Sequence, residues 1–417
     1  MNKWNKCQFS DIADLRREGF TPNYSEVLPY IGLEHIEQGT LRLNGIGSSN
    51  DVTSQKLKFY PDDILYGKLR PYFQKVYPPK FKGICSTDIF VFRAKEGIHP
   101  KFLFYIIASD LFTSYANQSS TGTRMPRADW KHLSDTIWKI PDLPTQTAIA
   151  EILSSLDDKI ELNNKINTEL EALAQTLFKQ WFIDFEFPDE NGLPYKSSGG
   201  KMVESELGMI PEGWQVDKFI NQIKVSRGIS YKGDGLTDIE NGIPMINLNS
   251  VNESGGYKYQ GLKFYSGEYK ERHIIKPGEI AITNTEQGHK YHLIGYPAVV
   301  PKSIGPVAIF TQHIYRATAK NESVLSNAFL YYLILQKPIR EQIIGACNGT
   351  TVNMLKIDGL QSPIYTLPNI EIVNLFTETI HAIWDKKETI QVENNELKTL
   401  RDLLIPKLIS GEIMINE

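Results

Sequence analysis

The stretch TQTAIAEILSSLDDKIELNNKINTELEALAQTLFKQWF, Thr145–Phe182, contains neither proline nor glycine. Its apolar positions fall at alternating four- and three-residue steps: Ile149, Leu153, Leu156, Ile160, then Asn163 and Asn167, then Leu170, Ala174, Leu177 and Trp181. A mean spacing of about 3.5 residues is the seam of a coiled coil rather than the wider face of an ordinary amphipathic helix. The same spacing recurs downstream at Phe376, Ile380, Ile383, Lys387, Ile390, Asn394, Leu397, Arg401, Leu404 and Leu408. The chain therefore carries two long helices. Asn167 and Asn394 share one seam position, where a polar side chain costs stability and fixes register.

The two helices belong to a duplication. An offset of 227 aligns Phe102–Leu177 with Phe329–Leu404 without a gap and leaves 18 identities in 76 pairs. Among them are Tyr105/Tyr332, Gly122/Gly349, Thr123/Thr350, Pro141/Pro368 and Asp158/Asp385. Upstream the match continues with small shifts, Pro61–Ile64 against Pro277–Ile280 and Trp4–Phe9 against Trp214–Phe219. A period this long lies far beyond solenoid repeats and marks a duplicated domain pair. Each copy has the same order. Short apolar runs broken by Gly and Pro read as strands. An aromatic helix, a Gly-Thr loop, a proline-bounded edge and the long helix follow.

This order predicts an α+β fold with two mixed domains, at residues 1–143 and 214–368. The helical spacers are expected at 144–184 and 369–417. Residues 185–213, with Asn191-Gly192-Leu193-Pro194 and Ser197-Ser198-Gly199-Gly200, have the composition of a linker. If the helices pair antiparallel, the two domains sit at opposite ends with pseudo-twofold symmetry. A helix of about 38 residues makes a rod of roughly 55–60 Å. That exceeds one turn of DNA, about 34 Å.

The formal net charge of −4 hides an alternation. Residues 1–143 carry net +4, 144–213 net −8, 214–368 net +4 and 369–417 net −4. The basic segments suit phosphate and the acidic ones suit water or protein. Three dispersed cysteines make no disulfide framework and fit a reducing cytoplasm. No stretch is apolar enough to span a membrane, and the first residues lack the apolar core of a signal peptide.

No catalytic constellation emerges. The chain lacks a phosphate-binding loop, a dinucleotide fingerprint and the Asp/Asn-Pro-Pro-aromatic run of amino-methyltransferases. His289 and His292 have no Cys or carboxylate cluster around them, so no metal site is expected. What remains is contact chemistry on loops. Ser119–Arg127 offers Thr121, Thr123, Arg124 and Arg127, and its counterpart offers Thr350, Thr351 and Asn353. Upstream, Gly67–Lys75 interleaves Lys68, Arg70, Tyr72 and Lys75. The matching region of the second copy holds Asn284, Thr285, Gln287, His289 and Lys290. Hydroxyls and backbone N–H groups suit phosphates, whereas Arg and Asn suit guanine and adenine edges. Gly122-Thr123 and Gly349-Thr350 equally fit a structural turn.

Two globular repeats, each closed by a proline-bounded edge and a charged helix, resemble the specificity subunit of type I restriction-modification enzymes. Glu206-Leu207-Gly208-Met209-Ile210-Pro211-Glu212-Gly213-Trp214 is similar to the entry of that family's second half. The resemblance implies two target recognition domains, each reading half of a split, asymmetric site in double-stranded DNA. It also implies an antiparallel coiled coil that spaces them and docks two methyltransferase subunits. It further implies separate restriction/translocase subunits. S-adenosylmethionine, ATP and Mg would then sit on the partners, with no cofactor and no catalytic residue on this chain. Lys387 and Arg401 depart from an ideal seam and stand as candidate docking positions for partner subunits.

Overall fold

The computed structural model describes residues 4–22, 26–120, 124–288, 290–320, 325–349 and 352–415. The chain folds into two compact units: Met1–Leu162 with Asn394–Glu417, and Asn163–Glu393. The long helices are Leu143–Phe182 and Ile370–Ser410. Each helix divides between the units, so each unit contains a piece of both.

The first helix starts where the sequence forces it to. Asp142 accepts a hydrogen bond from the backbone N–H of Thr145 (3.1 Å), satisfying a donor that the first turn leaves open. Pro144 sits in that turn, where its missing N–H costs nothing.

In the first unit, a four-stranded antiparallel sheet is built from Ala13–Leu15, Ile89–Ala94, Ile64–Gly67 and Val76–Tyr77. Its aromatic face packs on the helices Pro100–Ala108 and Asp110–Gln118, with Phe9, Tyr66, Phe92 and Phe112 fully buried. Burying each such ring is worth roughly 1.5–3 kcal/mol. Ile149, Ala150 and Leu153 of the first helix join this core together with Ile405, Leu408 and Ile409 of the second. A second sheet of five strands follows the order Gly19–Phe20, Lys56–Phe59, Gly83–Cys85, Pro29–Ile31, Gly47–Ser48.

The second unit repeats the plan. Its four-stranded sheet comprises Ile223–Arg227, Ile314–Ala319, Ile280–Thr283 and Pro297–Val299. Its five-stranded sheet runs Leu236–Thr237, Lys263–Tyr265, Ile243–Ile246, Ala308–Phe310, Ile274–Ile275. Both five-stranded sheets contain one parallel pair, Pro29–Ile31 with Gly83–Cys85 and Ile243–Ile246 with Ala308–Phe310. The outermost strand is added on opposite sides in the two copies, which is where the sequence repeat also fades. Phe178 and Phe182 of the first helix enter this unit's core beside Phe329, Tyr332 and Phe376.

Within each unit the two helix pieces run antiparallel. In the second unit Asn163 Nδ2 donates to Glu393 Oε2 (2.8 Å), and eight residues later Glu171 meets Lys387 (2.5 Å). The seam contains Asn394, which is buried as its position requires. Asn167 is only half-buried, and the fully buried Asn of the first helix is Asn163. Lys387 and Arg401 are not left free for docking a partner; they are used inside the protein instead. Each forms an ion pair across the two helices, with Glu171 and Asp157 respectively.

Residues 185–213 are not a loose tether. Phe187 stacks between Tyr195 and Trp214 (ring centroids 4.6 and 5.0 Å apart). The strands Met202–Ser205 and Gly208–Pro211 close a hairpin, and Ile210 is buried in the second unit's core. Three well-spaced apolar groups therefore fix a segment whose composition reads as linker.

Candidate nucleic-acid interface

The two candidate loops of the first copy are far apart in sequence and meet in space. The N–H of Arg70 donates to Pro126 O (2.7 Å), and the N–H of Ala128 donates to Lys68 O (2.9 Å). Leu69 and Arg127 form an antiparallel bridge between them. Arg127 then locks the ribbon, its guanidinium gripping both carboxylate oxygens of Asp88 (2.9 and 3.2 Å). That pairing holds the Arg127 pKa above the ordinary arginine value.

Beyond Arg70 the chain turns sharply. Arg70 and Gln74 both adopt left-handed backbone conformations (φ +53° and +46°), bracketing the turn Pro71–Phe73. Non-glycine residues held there cost about 1–3 kcal/mol each, and such strain concentrates at functional sites. Pro71 is buried beneath the turn and Tyr72 is left half exposed at its tip. Arg70 and Arg124 are exposed, and no ion pair engages either among the described residues. Lys68 places its ammonium 5.4 Å from the Phe90 ring centroid. Lys75 turns inward and donates to Leu33 O (2.6 Å), and burial lowers its pKa.

The second copy joins the equivalent loops as true strands. Thr285–Gln287 pairs antiparallel with Val352–Leu355, placing Glu286 opposite Asn353. Several polar residues expected at the surface are consumed here. Asn284 is buried and donates to Gln312 O (3.0 Å). Thr285 Oγ1 lies 3.1 Å from His313 Nδ1, and Asn353 Nδ2 donates to Gly288 O. Gln287, opposite Val352 in the ladder, and Lys290 remain exposed, as do the apolar side chains of Val352 and Met354. Thr121, Thr123, His289, Thr350 and Thr351 lie outside the described residues. Gly349 has a structural reason to be glycine: its φ is +137°, and a Cβ would come 2.1 Å from Val352 O.

Two residues that sequence reasoning passed over shape this second surface. The Glu286 carboxylate accepts the backbone N–H groups of His292, Leu293 and Ile294 (3.1, 3.0 and 2.9 Å), cinching the loop that carries Lys290. Arg340 supports its far end, donating to Ile294 O (2.8 Å) with its guanidinium over the Tyr296 ring at 3.6 Å. Burial lowers the Arg340 pKa. The Glu286 contacts lie six to eight residues further along the chain, too far for a turn or capping pattern in the sequence to point to them. Among the described residues, no group of three or more His, Cys, Asp or Glu could hold a metal ion. No helix among them is long and apolar enough to cross a membrane.

Each unit thus carries a two-segment ribbon with the same frame and different exposed side chains. Residues 1–172 match the family described as the type I restriction modification DNA specificity domain. Across 99% of this chain and 100% of the relative, the sequence is 26% identical to the HindI specificity subunit of Haemophilus influenzae. The similarity to that specificity subunit thus runs the whole length of both chains. The EcoDI specificity subunit of Escherichia coli is 31% identical over 189 residues, 43% of this chain and 42% of that one. In fold, the chain resembles the crystal structure of the type I restriction-modification S subunit from M. genitalium. That match has a TM-score of 0.54 at 14% identity and covers 100% of this chain and 97% of the other.

Proposed function

We propose that this chain is the non-catalytic DNA-recognition subunit of a type I restriction-modification complex. Each unit reads one half of a bipartite, asymmetric target in double-stranded DNA. The long helices set the spacing between half-sites and dock two methyltransferase subunits. S-adenosylmethionine, ATP and Mg are bound by those partners and by the restriction/translocase subunits, and the complex works in the cytoplasm.

The observation that carries this reading is the pair of ribbons. In both units two chain-distant loops are brought together on one frame. One ribbon exposes Arg70, Tyr72 and Arg124; the other exposes Gln287, Lys290, Val352 and Met354. Arginine suits phosphate and guanine, and an exposed apolar group suits the thymine methyl. A shared frame with unlike contacts is what an asymmetric target needs. Arg127, Lys75, Asn284 and Asn353 are supports in this scheme, because each is spent on an internal bond.

The test is to map methylated adenines in DNA modified by the complete complex. A split motif with dissimilar halves is expected. A contiguous site, or affinity indifferent to one of the halves, overturns the reading.

A further inference from the structure

The two interhelical ion pairs sit one helical turn apart when the two units are aligned by the repeat, and their polarity is reversed. In the first unit the acid sits on the domain's own helix. Asp157 accepts from Tyr105 Oη (2.7 Å) and from Arg401 Nη1 (2.7 Å), the latter arriving on the second helix. In the second unit the base sits on the domain's own helix. Lys387 donates to Glu171 (2.5 Å), which arrives on the first helix, while Tyr332 Oη lies 3.5 Å from the same carboxylate. Tyr105 and Tyr332 are repeat equivalents, so both carboxylates are held against the same frame.

The repeat shows how deep the reversal goes. Glu171 aligns with Lys398, and Ala174 aligns with Arg401. The arriving helix is therefore acidic in one unit and basic in the other. Suppose the first helix of a second copy docked on the first unit. Asp157 would meet alanine in place of Arg401, and Glu171 would stand where Lys398 now stands. Suppose instead the second helix of another copy docked on the second unit. Lys387 would then face Lys398 and Arg401. Both self-pairings strand or oppose charge in a seam where the Arg401 side chain is only 4% exposed.

We infer that this reversed pair of ion bridges is a pairing code. Each half of the chain accepts the helix of the other half and rejects the matching helix of a second copy. The inference does not depend on the DNA-reading assignment. Specificity here is a difference between two pairings, and most of it comes from the penalty on the wrong one. A buried charge deprived of its partner disfavours the wrong pairing on the order of 100-fold in the first unit. In the second, where Lys387 and Glu171 are 28% and 22% exposed, screening reduces this to about tenfold.

The experiment uses the full chain, nicked at a protease site placed in the exposed turn at Asn191-Gly192 so that both halves stay present. Nicked wild type is mixed with the nicked double variant Asp157→Arg/Arg401→Asp, brought through mild denaturant and back, and its half-chain pairs are counted by native mass spectrometry. Parental pairs should dominate, since like charges face each other in both cross-pairs, and pairs of two first halves or two second halves should be scarce. Cross-pairs or same-half pairs in the proportions of random mixing would overturn the inference. If that variant does not refold, Glu171→Lys/Lys387→Glu poses the same question in the second unit. Its cross-pairs should also fall below random mixing, and random mixing there would equally overturn the inference.

Discussion

Replacing Arg401 by methionine removes the first unit's ion bridge, together with the arginine's bond to the exposed neighbouring Asp402. The side chain of Arg401 is 4% exposed and that of Asp157 is 26% exposed. Removing one partner from a fully buried pair costs about 3–5 kcal/mol, because the other charge is left uncompensated. Asp157 keeps the Tyr105 hydroxyl and some water, so about 2–3 kcal/mol is the expected loss. For a cooperative unit of this size, 1 kcal/mol moves Tm by about 2–4 °C, which gives a drop of roughly 4–12 °C. Differential scanning calorimetry of the full chain measures it directly. The double variant Asp157→Leu/Arg401→Met should recover to within about 1 kcal/mol of the parent, since an apolar pair carries no desolvation penalty. A single variant as stable as the parent would refute the reasoning. So would a double variant as damaged as the single, because the cost would then lie in the aliphatic packing of the arginine stem.

Four further outcomes follow from the same geometry. Arg70→Glu or Arg124→Glu should weaken DNA binding and flatten the slope of log K against log salt by about 0.9 for each phosphate that is no longer neutralised, in fluorescence anisotropy titrations. Arg127→Ala should leave that slope largely intact and speed amide exchange at Arg70 and Ala128, because the Asp88 latch is gone. The Asp142 carboxyl is held below the usual carboxylate range chiefly by its hydrogen bonds from Thr145. Its contribution is therefore present at neutral pH and lost as pH falls through that depressed value, so exchange in the helix's first turn should rise on acidification, and Asp142→Ala should abolish the pH dependence. Gly349→Ala should destabilise the second unit by about 1–3 kcal/mol in urea denaturation, since its backbone conformation and the Val352 carbonyl both oppose a Cβ.

The first helix is legible in the sequence because period and the lack of Pro and Gly act together over about ten turns of chain, and the second because it repeats that period despite Pro406. Their charged seam positions are easily misread, for a physical reason. Lys387 and Arg401 break an apolar pattern, but a single helix cannot show that Glu171 and Asp157 will stand opposite. The folding of residues 185–213 is hidden the same way, in Phe187, Tyr195 and Trp214, which are too dispersed to make a periodic signal. At the candidate interface, loop location is readable and side-chain duty is not. Residue type tells what Asn284, Asn353, Lys75 and Arg127 can bond, not whether a neighbouring carbonyl or carboxylate has already claimed them. The Asp88–Arg127 bond joins residues 39 apart, beyond any local pattern.

The division of the chain also sets an order of events during synthesis. The second unit is one continuous stretch, whereas the first is completed by Asn394–Glu417. Until those residues emerge, Ile149, Ala150 and Leu153 lack Ile405, Leu408 and Ile409, and Asp157 lacks Arg401. At about 5–20 residues per second, the domain made first waits on the order of ten seconds or more for its last helix. A premature stop near the end of the message would thus damage the beginning of the protein, leaving an open apolar groove for chaperones and proteases to find.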